Sequence, residues 1–237
     1  MNHKSLWSIE EQLVLIELDS VSLKAELIIP ENASGIVVMA SATGSNRYSP
    51  RNYYLAHMLR QAGLATILID LLTKEEEMLD LRTQHFRCNS KFMATRLVEA
   101  TDWLVENPLT RKLKVGYFGD GVGGGAALIA AAERPICVGA IVSRSGQIWA
   151  DEALSYVQAA TLLIVGGYDF PVIAMNEDVL AQIPSVNKQL EIIPGATHQF
   201  GEPGAMSEVA RLASLWFQHY LTPVQPKNLH VYAMSAC

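Results

Sequence analysis

Residues 112–128, KLKVGYFGDGVGGGAAL, constrain this chain more than any other stretch. An apolar run over 113–118 enters Gly119-Asp120-Gly121-Val122-Gly123, and small helix-forming residues follow at once. A strand that turns this sharply into a helix needs glycine on both flanks of the turn, so that the helix start can pack against the strand end. The layout is the Gly-x-nucleophile-x-Gly frame that lifts a reactive side chain above a sheet. At its centre stands Gly121, which carries no reactive atom. The frame of a catalytic site is present, and the group for covalent chemistry is not.

The rest of the chain supplies the sheet that such a turn requires. Residues 12–18 and 21–29 alternate apolar and polar around Asp19-Ser20, which reads as an antiparallel hairpin with one wet face. Residues 36–40 and 64–69 are continuous apolar runs, the pattern of strands buried on both faces. Between them Ser49-Pro50 predicts a helix N-cap and first position, with the helix running to Ala62 and stopping at Gly63. Residues 71–89 read as a loop with a helical turn around 74–81, and 92–105 as an amphipathic helix. After the glycine turn come a helix to about Ala132, strands at 136–142, 161–165 and 189–193, a weak helix at 152–157, and helices at 171–183 and 203–221. Strands alternating with helices predict an α/β fold: a mostly parallel, doubly wound sheet with the antiparallel hairpin at its edge. The expected division is one domain over 1–221 and a tail over 222–237.

Composition narrows the function classes. A net charge of −6 and a pI near 5.5 argue against a nucleic-acid partner. The longest apolar run, 122–132, is too short and too rich in glycine and alanine to span a bilayer. The first residues lack the apolar core of a secretion signal. Cys88, Cys137 and Cys237 lie far apart without metal spacing, so free thiols in a reducing cytoplasm are expected, with Cys137 in the core. No metal or organic cofactor is expected, and the partner expected is a small molecule.

Two strand ends downstream of the glycine turn carry chemistry. Asp169 follows the strand TLLIV and His198 follows EIIPGAT. Sheets with this frame place nucleophile, acid and base in that order along the chain, each beyond the carboxyl end of a strand. The acid holds the imidazole in one tautomer, and the imidazole takes a proton from the attacking group. Asp120 is a carboxylate beside the turn, but it sits one residue early, with Phe118 and Val122 where that register needs glycine. Ser41, Asp120, Arg144 and Ser145 stand at strand ends and are expected to line the pocket. Ser143 shares that position. A different reading takes Gly119-x-Gly121-x-x-Gly124 as a dinucleotide fingerprint, with Arg144 about twenty residues on for a 2′-phosphate. That reading leaves Asp169 and His198 unexplained.

Seven further stretches bear on identity: GSNRYSPRN (44–52), LIDLLTKEEE (68–77), DLRTQHFR (80–87), ATDWL (100–104), VSRSG (142–146), LLIVGGYD (162–169) and PGATHQFGEPGA (194–205). Over about 35–221 the chain resembles the dienelactone-hydrolase-like branch of the α/β-hydrolases. Within that branch it is most similar to bacterial hydrolase domains sometimes fused to a phosphoribosyltransferase. The resemblance implies a cytoplasmic hydrolase of a small ester or lactone, with Asp169 as acid, His198 as base, and the backbone N–H groups of Val122 and Thr43 as the oxyanion hole. The chain departs from the family in having Gly121 where the family has Ser or Cys, and Ser41-Ala42 where it usually has His-Gly. Activity that is weak, altered or lost is therefore expected, and a non-catalytic protein using the same pocket to bind a ligand is the alternative. Arg47, Arg51, Arg82 and Arg87 are expected to pair with Asp70, Asp80 and the glutamates at 75–77, or to receive an anionic substrate at the pocket mouth. Trp103, Trp216 and Phe217 are expected in the core.

Overall fold

In the computed structural model, which describes residues 10–18, 20–41, 49–148 and 151–223, eight strands form a single sheet. β1 (Glu10–Glu17) and β2 (Ser22–Ile29) make the expected antiparallel hairpin, in register from Glu10 opposite Ile29 to Glu17 opposite Ser22. The other strands are β3 (Gly35–Ser41), β4 (Ala65–Ile69), β5 (Lys114–Asp120), β6 (Val138–Arg144), β7 (Ala160–Gly166) and β8 (Lys188–Ile193). Their spatial order is β1-β2-β4-β3-β5-β6-β7-β8. β2 runs antiparallel to β4, and every pairing from β4 to β8 is parallel.

Helices cover both faces, which is why the central strands are buried along almost their whole length and mostly apolar. In β3, Ile36, Val38 and Ala40 join one core with α3 (Ser90–Glu106) and α4 (Val122–Glu133). Val37 and Met39 join the other, with α1 (Pro50–Gln61) and α6 (Ala205–Leu221). The described residues also form α2 (Lys74–Thr83), α5 (Phe170–Gln182) and a 3-10 turn at Glu152–Tyr156. None of the helices among the described residues is long and apolar enough to cross a membrane.

Several local expectations need correction. Residues 74–83 form a full helix, not a turn. Thr73 accepts the Glu76 N–H while the Glu76 carboxylate accepts the Thr73 N–H, a reciprocal cap that satisfies the helix start. Glu76 also takes two 2.6 Å hydrogen bonds from Arg96 of α3, whose guanidinium donates as well to Leu71 O at 2.6 Å. Such a partner, twenty residues away, leaves no local signature. Arg87 does pair with Asp80, whereas Arg51 donates to the amide oxygen of Gln199 at 2.5 Å, and Arg47 lies outside the described residues. Ser49 occupies the N-cap position of α1 but makes no capping bond there. β6 begins at Val138, leaving Ile136 93% exposed and Cys137 partly exposed in the preceding turn instead of the core. Phe217 is fully buried, but Trp103 and Trp216 are only partly buried. α6 ends at Leu221, and the tail from 224 onward lies outside the described residues.

Asp80 ties α2 to the loop after it. Burial alone would raise its carboxyl, but hydrogen bonds from the Arg87 guanidinium and from the N–H groups of Arg87 and Phe86 outweigh that and hold it below the ordinary carboxylate value. A carboxyl depressed in the folded state contributes stability that is present above its unfolded pKa and lost as pH falls through its folded one. Asp80→Asn is therefore expected to cost about 2 kcal/mol near neutrality. Urea unfolding across a pH series should show the gap to the parent chain closing as the pH falls below the carboxylate range.

Candidate active site

β5 ends at Asp120 and α4 begins at Val122, so Gly121 alone makes the turn, at φ 57° and ψ −123°. Three glycines here have different causes. A Cβ at Gly119 would lie 2.5 Å from Gly123 O and 2.6 Å from Gly124 Cα, and one at Gly124 would collide with Ser143 Oγ. A Cβ at Gly121 would meet nothing within 4 Å, and only its left-handed backbone disfavours a side chain. The turn is pinned on both sides: Gly121 N–H donates to Arg144 O at 3.2 Å, and Gly121 O accepts from Gly124 N at 3.0 Å and Gln147 N at 3.0 Å. Val122, in the first turn of α4, presents an N–H that has no intrahelical acceptor by position.

The other two expected side chains meet each other. Asp169 follows β7 through Gly167 and Tyr168, whose N–H groups donate to Ile193 O at 2.9 Å and Ala196 O at 3.0 Å in the segment after β8. That pairing brings the two strand ends together. Asp169 stands at the N-cap of α5 yet makes no side-chain cap bond; its Oδ2 instead lies 2.6 Å from His198 Nδ1. A carboxylate only accepts, so Nδ1 carries the proton and Nε2 of the neutral ring is left with its lone pair. The Asp169 side chain is 14% exposed and the His198 side chain 37%, so the acid is sheltered while the ring reaches solvent.

One short loop joins the pair to the turn. Besides Arg144 O, which accepts the Gly121 N–H, and Gln147 N–H, which donates to Gly121 O, Ser145 donates its N–H to Ile164 O at 2.8 Å and its hydroxyl to His198 O at 3.0 Å. Ser145 is fully buried at φ 43°, so it is an anchor for the His198 backbone and not a pocket wall. Its position in VSRSG marked it as of interest, but nothing in the sequence indicated the bond. Ser143 is also fully buried, filling the space beside Gly124 and Gly146.

Asp120 is gripped by the Arg144 Nε at 3.2 Å and by a second, shorter bond from the same guanidinium. Arg144 is 4% exposed and places its remaining nitrogen 3.2 Å from Met206 Sδ. Asp120 is thus a counter-ion beside the turn, and Arg144 is committed to it instead of standing open to a phosphate. The dinucleotide reading thereby loses the cation it assigned to a 2′-phosphate. Ser41 ends β3 in register with Asp120, while Thr43 lies outside the described residues. Among the described residues, no group of three His, Cys, Asp or Glu could hold a metal ion.

Comparison with known proteins agrees with this architecture. The model of the Dienelactone hydrolase family matches residues 23–222. A dienelactone hydrolase of Anabaena variabilis, solved by crystallography, is 58% identical with a TM-score of 0.86, covering 90% of this chain and 99% of that one. A dienelactone hydrolase-like promiscuous phosphotriesterase from metagenomic libraries shares the fold at 18% identity, with a TM-score of 0.72 and coverage of 90% and 99%. Two Mycobacterium tuberculosis proteins, each named "Putative phosphoribosyl transferase", are 44% identical over 221 residues, 93% of this chain. The chain spans 49% of their length, about half.

Two substitutions test the turn. Gly121→Ala should lower stability by about 1–3 kcal/mol through backbone strain alone, since its methyl group has room. Gly124→Ala should cost a similar amount, about 1–3 kcal/mol, through overpacking. Adding Ser143→Ala should recover part of the Gly124→Ala loss and none of the Gly121→Ala loss, as read by denaturant unfolding of the single and double variants.

Proposed function

Because the chain belongs to the dienelactone hydrolase family, we propose that it acts on a small ester or lactone held over Gly121, with His198 as general base and Asp169 as the group that orients it. The supporting observation is the 2.6 Å contact between His198 Nδ1 and Asp169 Oδ2, tied through the 144–147 loop to the positive-φ turn between β5 and α4. The covalent route is closed, because residue 121 has neither hydroxyl nor thiol. Loss of a triad nucleophile costs up to about a million-fold in turnover, while the rest of a site retains roughly 10³–10⁴ over water.

The remaining route is attack by water. His198 Nε2 takes a proton from a water molecule as its oxygen bonds to the substrate carbonyl carbon. The carbonyl oxygen becomes an oxyanion, which the Val122 N–H at the start of α4 stabilises. Collapse of the tetrahedral species breaks the carbon–oxygen bond to the leaving alkoxide, which receives the proton from the imidazolium. Asp169 keeps the ring in its tautomer and stabilises its charged form. Arg144 and Asp120 neutralise each other, so they hold the turn without offering a free charge to the substrate.

The second reading, ligand binding without turnover, has Gly121 itself in its favour: relief of backbone strain would be kept where chemistry is no longer needed. The transferase name of the mycobacterial proteins is not carried over, since it belongs to proteins twice this length.

Assays with p-nitrophenyl acetate separate the readings. Hydrolytic function predicts slow turnover without a burst in the parent chain, lost in His198→Ala. Saturable binding of the ester with no turnover in either protein favours the binding reading. In both cases the frame predicts that Gly121→Ser raises esterase activity by about 100-fold or more. A folded Gly121→Ser protein that stays inert on a panel of aryl esters would contradict the assignment of residue 121.

A further inference from the structure

A cavity of about 530 Å³ opens between the start of α3, the first turns of α4 and the loop after β6. Its wall includes none of Asp120, Gly121, Asp169 or His198, so it is distinct from the site above. Its volume lies within the roughly 300–1,000 Å³ of small-ligand sites, and its lining is divided evenly between polar and apolar surface, as an amphipathic ligand requires. Gly125, Ile129, Ile148 and Leu154 form the apolar wall. Lys91 and Asp151 stand on the polar side, joined by a 3.1 Å ion pair.

Gly125 is the informative residue. Its neighbour Gly124 is required by packing, because any side chain there strikes Ser143. Gly125 is under no such demand: a Cβ there would lie 3.5 Å from Gln147 O, 3.6 Å from Ser90 Cβ and 3.8 Å from Ile148 Cα, all ordinary contacts. Glycine inside a helix is less stable than alanine, so the chain carries a local weakness that its own packing does not call for. The missing side chain instead leaves the cavity wall open against the α4 backbone.

Lys91 gives the chemistry of the other side. Its ammonium has three donors, and the ion pair with Asp151 engages the carboxylate that also accepts the Ala153 N–H at 3.0 Å. The Lys91 side chain is 74% exposed, so this pair is held loosely and can share its cation with a second acceptor. We propose that the cavity binds a small organic acid, its carboxylate on Lys91 and its apolar body against Gly125, Ile129, Ile148 and Leu154. Cys88, which is exposed and lines the same cavity, serves as a reporter thiol.

The test is calorimetric titration of the full chain with naphthalene-2-carboxylate and with the uncharged naphthalene-2-carboxamide. The acid should bind saturably and at least fivefold more tightly than the amide, and Lys91→Met should erase that difference. Gly125→Ala should raise the melting temperature by about 2–4 °C yet weaken the acid at least fivefold. Ile129→Trp, which fills the same wall from another residue, should weaken it as well. Saturating acid should slow alkylation of Cys88 by iodoacetamide, read by peptide mass spectrometry, and His198→Ala should leave the affinity unchanged. Absence of saturable binding, unchanged affinity in both Gly125→Ala and Ile129→Trp, or loss of binding in His198→Ala would each overturn the proposal. The last result would place the acid over Gly121, and none of the three bears on whether esters are hydrolysed there.

Discussion

The chain passes from β5 into α4 through a single residue, and that passage forces a positive φ at position 121. Proteins that keep a side chain at such a turn tolerate about 1–3 kcal/mol of strain to hold a reactive atom clear of the sheet. Here residue 121 is a glycine, which takes that backbone without strain and offers no reactive atom, and the turn is held by the contacts around it. Gly119 lies against the Gly123–Gly124 backbone, Ser143 fills the space beside Gly124, and Gly121 is hydrogen-bonded to Arg144, Gly124 and Gln147. These contacts depend on the backbone path, which a glycine adopts as readily as a strained serine. The path of the turn is therefore held without any contribution from a side chain at 121.

The same loop that holds the turn also holds His198. Residues 144–147 bond to Gly121 on one side and, through Ser145, to the His198 backbone on the other. The imidazole gains a second constraint from Asp169, itself fixed because the segments after β7 and β8 pair with each other. Position and tautomer are thus set by separate contacts. Asp120 is held the same way: its carboxylate is satisfied by a nearly buried arginine and has no reason to turn toward the pocket.

Much of this could be read in the sequence because it follows from local rules. Continuous apolar runs marked the strands with two covered faces, alternation marked the hairpin, and glycine spacing marked the turn at 119–124. The order of Asp169 and His198 along the chain placed both beyond strand ends. What escaped depended on distant partners. Residues 74–81 read as only a helical turn within a loop, and the full helix there is held by a reciprocal cap and by Arg96, twenty residues away. Ser145 resembled a pocket residue, because nothing local says that its hydroxyl would find His198 O. Ile136 and Cys137 looked like the start of β6, but the chain is still turning there, with Cys137 N–H bonded to Arg134 O.

The central claim is that residue 121 occupies a nucleophile position that His198 can still serve. Its most direct measurement is intact-protein mass spectrometry after exposure to a fluorophosphonate, which bonds to a hydroxyl only when a neighbouring base activates it. The account predicts no adduct on the parent chain, one adduct mapped to residue 121 in Gly121→Ser, and strongly slowed labelling when His198→Ala is added. A folded Gly121→Ser protein that takes up no label, or one labelled equally fast without His198, would contradict it.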